Sequence, residues 1–120
     1  MTYVDGFLLA VPKDRLDEYK ELARKGNTVW MEHGALSYVE AMADDVPYGE
    51  LTSFPRAVQA KDDETVIFAW ITYESRAERD RINKLVMEDE RMNGIFSMSP
   101  FMRGSSITFF MMRSRASRDS

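Results

Sequence analysis

Two titratable side chains, Asp5 and His33, are the first candidates for chemistry in this sequence. Asp5 lies inside an apolar run beside Gly6, where an unpaired carboxylate is costly and a ligand could approach the backbone closely. It is therefore a candidate catalytic base or ligand group, the alternative being a strand-end carboxylate that meets water or a basic partner. His33, the only histidine, precedes Gly34 at the end of a predicted helix. A protonated imidazole would stabilise that helix end, so this catalytic candidate also has a structural alternative.

Three further side chains could contact a ligand from the predicted sheet. Tyr38 and Glu40 are two residues apart and so share one face of a strand, which makes Tyr38 a third catalytic candidate and Glu40 a ligand-binding candidate. Trp70 lies in the most apolar segment of the chain and could stack on a planar ligand. Core packing is the alternative role for all three.

A polar group on a predicted helix completes the set of candidates. Arg79, Asp80 and Asn83 lie within about one helical turn. Arg79 and Asn83 could bind a ligand. The favoured alternative is that the group ties its helix to the loop at Asp44 and Asp45 through charge-assisted hydrogen bonds.

The sequence offers little for a metal or a cofactor. It has no cysteine, which excludes disulfides, thiolate metal sites and cysteine nucleophiles. A single histidine cannot anchor a histidine-rich metal centre, although His33 with Glu32, Glu40 or Asp44 could form a mixed site. His33 would also be the only imidazole available to a haem. We therefore predict neither a metal nor a cofactor.

Composition restricts the class of protein and its partners. The chain has 120 residues, 44% of them apolar, and a formal net charge of -4, which suits a globular protein with one core. The acidic balance argues against a surface that neutralises phosphates, so nucleic acid is not an expected partner. The longest apolar runs, 7–11 and 66–71, are too short to span a membrane, and the N-terminus lacks the pattern of an export signal. We expect a cytoplasmic protein with no membrane partner.

These side chains must be positioned by secondary-structure elements, of which the clearest is a strand over Thr65–Tyr73. Both of its alternating faces are apolar, so both sides of this strand should be covered. A first strand is predicted over Tyr3–Val11. An amphipathic helix follows from Lys13 to His33, with a kink possible at Gly26 and Asn27. Ala35–Ala43 reads as the next strand.

The remaining elements are predicted with less regular patterns. Thr52–Ala60 could begin a strand at a sheet edge despite Pro55. Ser75 is a typical helix N-cap with Glu78 three residues on, and this helix should end near residue 89, with its residues 76, 79, 80, 81 and 84 facing outward. A last strand is predicted over Ser105–Met112.

This order predicts a ferredoxin-like βαββαβ fold of the α+β class, an antiparallel sheet with both helices on one face. We expect one domain over residues 1–112 and a disordered tail over 113–120. The other face would be bare and would expose more than the roughly 300 to 600 Å² of apolar surface found on monomers. We therefore predict a homodimer through this open sheet face.

Three segments carry a resemblance to a known family: Tyr3–Pro12 (YVDGFLLAVP), Ala43–Gly49 (ADDVPYG) and Val66–Asn83 (VIFAWITYESRAERDRIN). They resemble the YbaA-like family of small bacterial proteins of unknown function. The resemblance implies the dimeric α/β-barrel superfamily, in which two ferredoxin-like protomers pack sheet against sheet. Its members include cofactor-free monooxygenases and haem-degrading enzymes. The sequence departs from the family pattern after Phe101, so the chemistry of a pocket lined by that segment would differ.

Three functions follow as hypotheses. The leading one is a homodimer that binds or transforms a small hydrophobic molecule in a cleft between sheet and helices. The first alternative is a structural or interaction protein whose sheet serves only dimerisation. The second is a cofactor-free, monooxygenase-like enzyme using Asp5, His33, Tyr38 and Trp70. Enzyme status is left open.

Overall fold

The computed structural model describes residues 2–93 and the backbone of residues 107–113. The strands and helices, in chain order, are β1 Tyr3–Pro12, α1 Leu16–Glu32, β2 Ser37–Met42, α2 Phe54–Ala57, β3 Glu64–Tyr73, α3 Arg76–Glu88 and β4 Ile107–Arg113. Single 3₁₀ turns at Lys13–Arg15 and Glu90–Met92 precede α1 and follow α3. The divergent segment after Phe101 up to residue 106, and residues 114–120 of the predicted tail, lie outside the described residues.

The four strands form one sheet in the order β2-β3-β1-β4, and every neighbouring pair is antiparallel. The two most apolar strands, β1 and β3, lie at its centre and pair over their full length, from Tyr3 opposite Tyr73 to Pro12 opposite Glu64. Helices α1 and α3 cover one face, which we call the helix face. This is the predicted ferredoxin-like arrangement of the α+β class.

The core of the helix face holds α1 close to the sheet. Val29 of α1 and both Ile82 and Val86 of α3 are fully buried against β3. Helix α1 continues without interruption through Gly26, where a kink had been possible. Gly26 is buried because the hydroxyl of Tyr38 lies over it, at 2.9 Å from where a Cβ atom would stand. The glycine allows a close approach between α1 and β2.

The prediction of a strand over Thr52–Ala60 is wrong, because residues 54–57 form the short helix α2. The side chain of Ser53 caps this helix by accepting a hydrogen bond from the backbone N–H of Arg56, at 3.1 Å. Pro55 stands in the first turn, where its missing N–H costs nothing. The pattern of a capped helix therefore overrode that of an edge strand.

The second face of the sheet, which we call the open face, is partly covered by the segment that contains α2. Val58, at the end of α2, is buried with Leu8, Ala10 and Val66 of the sheet. The chain thus covers part of its own open face, which was predicted to be bare. Over the described stretches of the chain, no helix combines the length and apolar character needed to cross a bilayer.

Candidate functional site

Two carboxylates lie on the helix face of the sheet, Asp5 in β1 and Glu40 in β2. Asp5 stands opposite Ile71 of β3, and Glu40 stands opposite Ala69, two residues away on the same strand. Because alternate residues of a strand share a face, both carboxylates point to the side covered by α1 and α3. Their surroundings decide what each can do.

Asp5 is held by an arginine. Its side chain accepts two hydrogen bonds from Arg79 of α3, from Nε to Oδ2 at 3.0 Å and from Nη2 to Oδ1 at 3.2 Å. The guanidinium also donates to Asp80 at 2.8 Å and lies 5.3 Å from the ring centre of Tyr3. Such a bidentate pair supports the reading of Asp5 as a carboxylate that meets a basic partner.

Two predictions about Arg79 are corrected by this pairing. Its side chain is only 14% exposed, so it does not face outward, and it ties α3 to Asp5 of β1 instead of to the loop at Asp44 and Asp45. The reason is that a carboxylate buried under α3, with Asp5 only 6% exposed, requires a cation.

Asn83 fastens the same helix to its neighbours. Its Oδ1 accepts hydrogen bonds from Trp30 Nε1 of α1 at 3.0 Å and from the hydroxyl of Tyr73 at 3.2 Å. Burial, with the charge of Asp5, raises the pKa of Tyr73 well above its usual value, which keeps this hydroxyl a donor. These contacts give Asn83 a position that links α1, β3 and α3.

His33 is the C-cap residue of α1. Gly34 has a φ of +117°. The imidazole Nε2 lies 2.9 Å from Oδ2 of Asp89, which Arg91 also contacts at 2.8 Å. Hydrogen bonds from Arg91 and then from His33 hold the pKa of Asp89 well below its usual value. Within residues 2–93, no three histidine or acidic side chains are grouped so as to hold a metal ion.

Glu40 has a different environment, made of two tyrosines. The hydroxyl of Tyr38 donates to Oε2 at 2.8 Å, and the hydroxyl of Tyr19, from α1, donates to Oε1. Burial first, and the charge of Glu40 second, raise the pKa of both tyrosines well above the usual value, so both remain donors. Burial also raises the pKa of Glu40 above 4.5, although the two hydrogen bonds act against it.

The Glu40 carboxylate forms no ion pair within the part of the chain that the structure describes. Both of its hydrogen-bond donors are neutral hydroxyls. The described protein groups that bind the carboxylate directly are therefore dipoles and carry no positive charge.

This carboxylate and Tyr19 line a cleft of ≈ 200 Å³ between α1 and β2, which we call the Glu40 cleft. Because β2 is the edge strand of the sheet, the cleft opens at the side of the molecule. Its other lining residues come from α1, β2 and β3 and are mostly apolar: Leu16, Lys20, Ala23, Arg24, Ala41, Met42 and Ile67. Arg24 forms an ion pair with the neighbouring Glu21 on the exposed side of α1.

Trp70 lies on the open face, away from the Glu40 cleft. It stands opposite Gly6 and Val39 in the sheet and packs against Phe68, with ring centres 5.2 Å apart. The residues predicted for an oxygenase-like site, Asp5, His33, Tyr38 and Trp70, therefore do not form one group in the structure. Asp5 is paired with Arg79 and His33 contacts Asp89, whereas Tyr38 donates a hydrogen bond to Glu40.

Comparison with known proteins places the chain in a family. The family described as "Protein of unknown function (DUF1428)" matches residues 2–103. The chain belongs to this family. Relatives of the chain include the "Uncharacterized protein YbaA" of Escherichia coli (strain K12) and of Shigella flexneri, each 46% identical over 101 residues, covering 84% of this chain and 86% of the relative. The predicted YbaA-like resemblance is confirmed, and these relatives are bacterial.

Solved structures support the fold of this DUF1428 member. A dimeric ferredoxin-like protein from an uncultured marine organism matches with a TM-score of 0.60 at 12% identity, covering 93% of this chain and 94% of that one. Rv0793 from Mycobacterium tuberculosis matches with a TM-score of 0.55 at 16% identity, covering 96% and 99%. At such identities the likeness concerns the fold alone, and it confirms the ferredoxin-like prediction.

Proposed function

We propose that this protein binds a small molecule with a mainly apolar body in the Glu40 cleft, with Glu40 as its polar anchor. The observation that carries the proposal is a half-buried carboxylate that forms no ion pair with any described residue, at a cleft whose walls are mostly apolar. The cleft lies between the sheet and α1, the kind of location in which a ligand was predicted.

The energetics of Glu40 support a binding role over a packing role. Burying a carboxylate without a cationic partner is costly, and an apolar residue would fill the space between α1 and β2 more cheaply. A carboxylate has about four acceptor positions, of which Tyr19 and Tyr38 occupy two. The remaining positions can accept from a bound molecule.

The size of the cleft limits the ligand. Its ≈ 200 Å³ is smaller than the roughly 300 to 1,000 Å³ of sites for drug-sized molecules. Leu16, Met42 and Ile67 contribute apolar surface. A compact molecule with one hydrogen-bond donor fits these walls and this anchor.

The test is a fragment screen by ligand-detected NMR on wild type, Glu40→Gln and a control, Glu78→Gln. Glu78 is a half-exposed glutamate on α3 that pairs with Arg81. We expect fragments that bind wild type to lose at least about tenfold in affinity in E40Q, because a bidentate acceptor becomes an amide, and to bind E78Q unchanged. Equal binding to E40Q, or no binding to wild type, would overturn the proposal.

We further propose that the protein acts as a homodimer assembled through the uncovered part of its open face. Four apolar residues form a patch there, which we call the open-face patch: the exposed Val39 and Phe54 with the partly buried Phe68 and Trp70. Val39 is 37% exposed and Phe54 48% exposed, although both are large and apolar. Support also comes from the structural relative described as a dimeric ferredoxin-like protein. A two-fold packing of this patch on itself would bury it.

Light scattering after size exclusion tests the assembly. Wild type should have twice the 13.9 kDa mass of the chain. Val39→Lys places a charge in the open-face patch and should give a monomer, whereas Met87→Lys, at a 60% exposed position on α3, should leave the dimer intact. A monomeric wild type at micromolar concentration, or a dimeric V39K, would refute the interface.

A further inference from the structure

The charge of Glu40 indicates which ligand its cleft would favour. Asp5, on the same sheet face, has its charge matched by a bidentate guanidinium, whereas the described donors to Glu40 are the hydroxyls of Tyr19 and Tyr38. A carboxylate in a partly buried place gains most from a positive charge brought to it, because the lower dielectric strengthens the attraction. The missing charge is one that a ligand can supply.

The walls of the cleft suit an organic cation. Tyr19 places an aromatic ring beside the carboxylate, and aromatic faces attract ammonium groups. Two cationic side chains also line the cleft, but Arg24 is paired with Glu21, and Lys20 is exposed. Solvent screens such exposed charges more strongly than it screens a half-buried one.

Resting on the proposed function, we propose that the ligand class of the Glu40 cleft is a small protonated amine with an apolar body. Its ammonium group donates to the carboxylate of Glu40, and its body contacts the apolar walls at Leu16, Met42 and Ile67. Tyr19 and Tyr38 hold the carboxylate in place from α1 and β2.

The experiment compares three compounds that share one body: benzylamine, benzyl alcohol and benzoate. Titration calorimetry on wild type should show benzylamine binding at least about tenfold more tightly than benzyl alcohol, as for an added charge-assisted bond. In Glu40→Gln the two should bind equally. Tyr19→Phe removes one donor but keeps the carboxylate, so the preference for benzylamine should remain. The E78Q variant should match wild type.

The pH dependence gives a second readout. The charged or titratable groups around Glu40 are Tyr19, Lys20 and Arg24 of α1 and Tyr38 of β2. The affinity for benzylamine should rise with pH as Glu40 loses its proton, while that for benzyl alcohol should change little. A flat profile for benzylamine would count against the ion pair.

The outcomes separate the two proposals. If benzyl alcohol or benzoate binds as tightly as benzylamine, and loses affinity in E40Q, the amine class is wrong while the Glu40 cleft stands as a binding site. If none of the three binds wild type, both proposals fail. If benzylamine binds wild type and E40Q equally, the ammonium does not meet Glu40 and the inference is overturned.

Discussion

Asp5 and Glu40 are two carboxylates on one face of one sheet, and they differ in the groups that bind them. Asp5 receives a bidentate arginine, while Glu40 receives two neutral hydroxyls and faces a cleft. A buried carboxylate is therefore not by itself a sign of function. Our proposal therefore depends on a second feature of Glu40, the lack of an ion pair among the described residues at a cleft.

Their places in the sheet account for this difference. Asp5 is in β1, which has neighbours on both sides, so its side chain lies under α3 and Arg79 closes over it. Glu40 is in β2 at the edge of the sheet, where α1 and the strand leave the Glu40 cleft open at the side. An edge position thus combines partial burial with access.

The largest effect should follow from removing the cation of Asp5. Arg79→Met keeps the apolar stem but leaves a buried carboxylate uncompensated, and we expect a loss of about 3 to 5 kcal/mol in the free energy of unfolding. Urea denaturation measures this loss. The double variant Asp5→Asn with Arg79→Met should recover a large part of it, because no charge then lies unpaired. A loss below about 1 kcal/mol in R79M would contradict the role given to this pair.

The sequence predicted the regular elements well where the local pattern is strong. The alternating apolar faces of β3 and the cap at Ser75, which accepts from the N–H of Glu78 at 3.1 Å, were both confirmed. It failed at α2, because Pro55 suits both an edge strand and the first turn of a helix. The Ser53 cap and the packing of Val58 onto the sheet distinguish the two.

The candidate site was predictable only in part. The two-residue spacing of Tyr38 and Glu40 correctly placed them on one face. Tyr19 was not predicted as a partner of Glu40, since it lies 21 residues earlier and has the pattern of an ordinary inward position of an amphipathic helix. The pairing of Asp5 with Arg79, 74 residues away, likewise could not be predicted from the local sequence pattern. Pairings between distant elements depend on tertiary packing, which spacing along the chain does not encode.

A smaller effect tests whether Tyr38 is held on Glu40 as described. Alanine is about 1 kcal/mol more favourable than glycine within a helix, but a Cβ at position 26 would lie 2.9 Å from the Tyr38 hydroxyl. Gly26→Ala should therefore gain little in wild type and gain about 1 kcal/mol in a Tyr38→Phe background. Thermal and urea unfolding of the four proteins of this cycle measure the coupling.

Thr28→Ala provides the matched control for that cycle, since it alters an exposed position of the same helix. Its effect should be the same with and without the Tyr38 hydroxyl, because sites without shared contacts add. If G26A gains equally in both backgrounds, the hydroxyl does not lie over Gly26, and the placement of Tyr38 beside Glu40 is wrong.

The smallest effect on the free energy of unfolding at neutral pH should come from Glu40→Gln, because glutamine keeps the shape of the side chain and one acceptor oxygen. The substitution should instead be detected through the pH dependence of stability. Folding raises the pKa of Glu40, chiefly through burial, so wild type loses stability as pH rises from about 4.5 through the folded-state pKa. E40Q lacks this loss. The free energy of unfolding of E40Q minus that of wild type, measured by urea denaturation at each pH, should therefore increase across this window. A difference independent of pH would mean that Glu40 titrates alike in the folded and unfolded chains, and the contrast with Asp5 would then no longer mark the cleft.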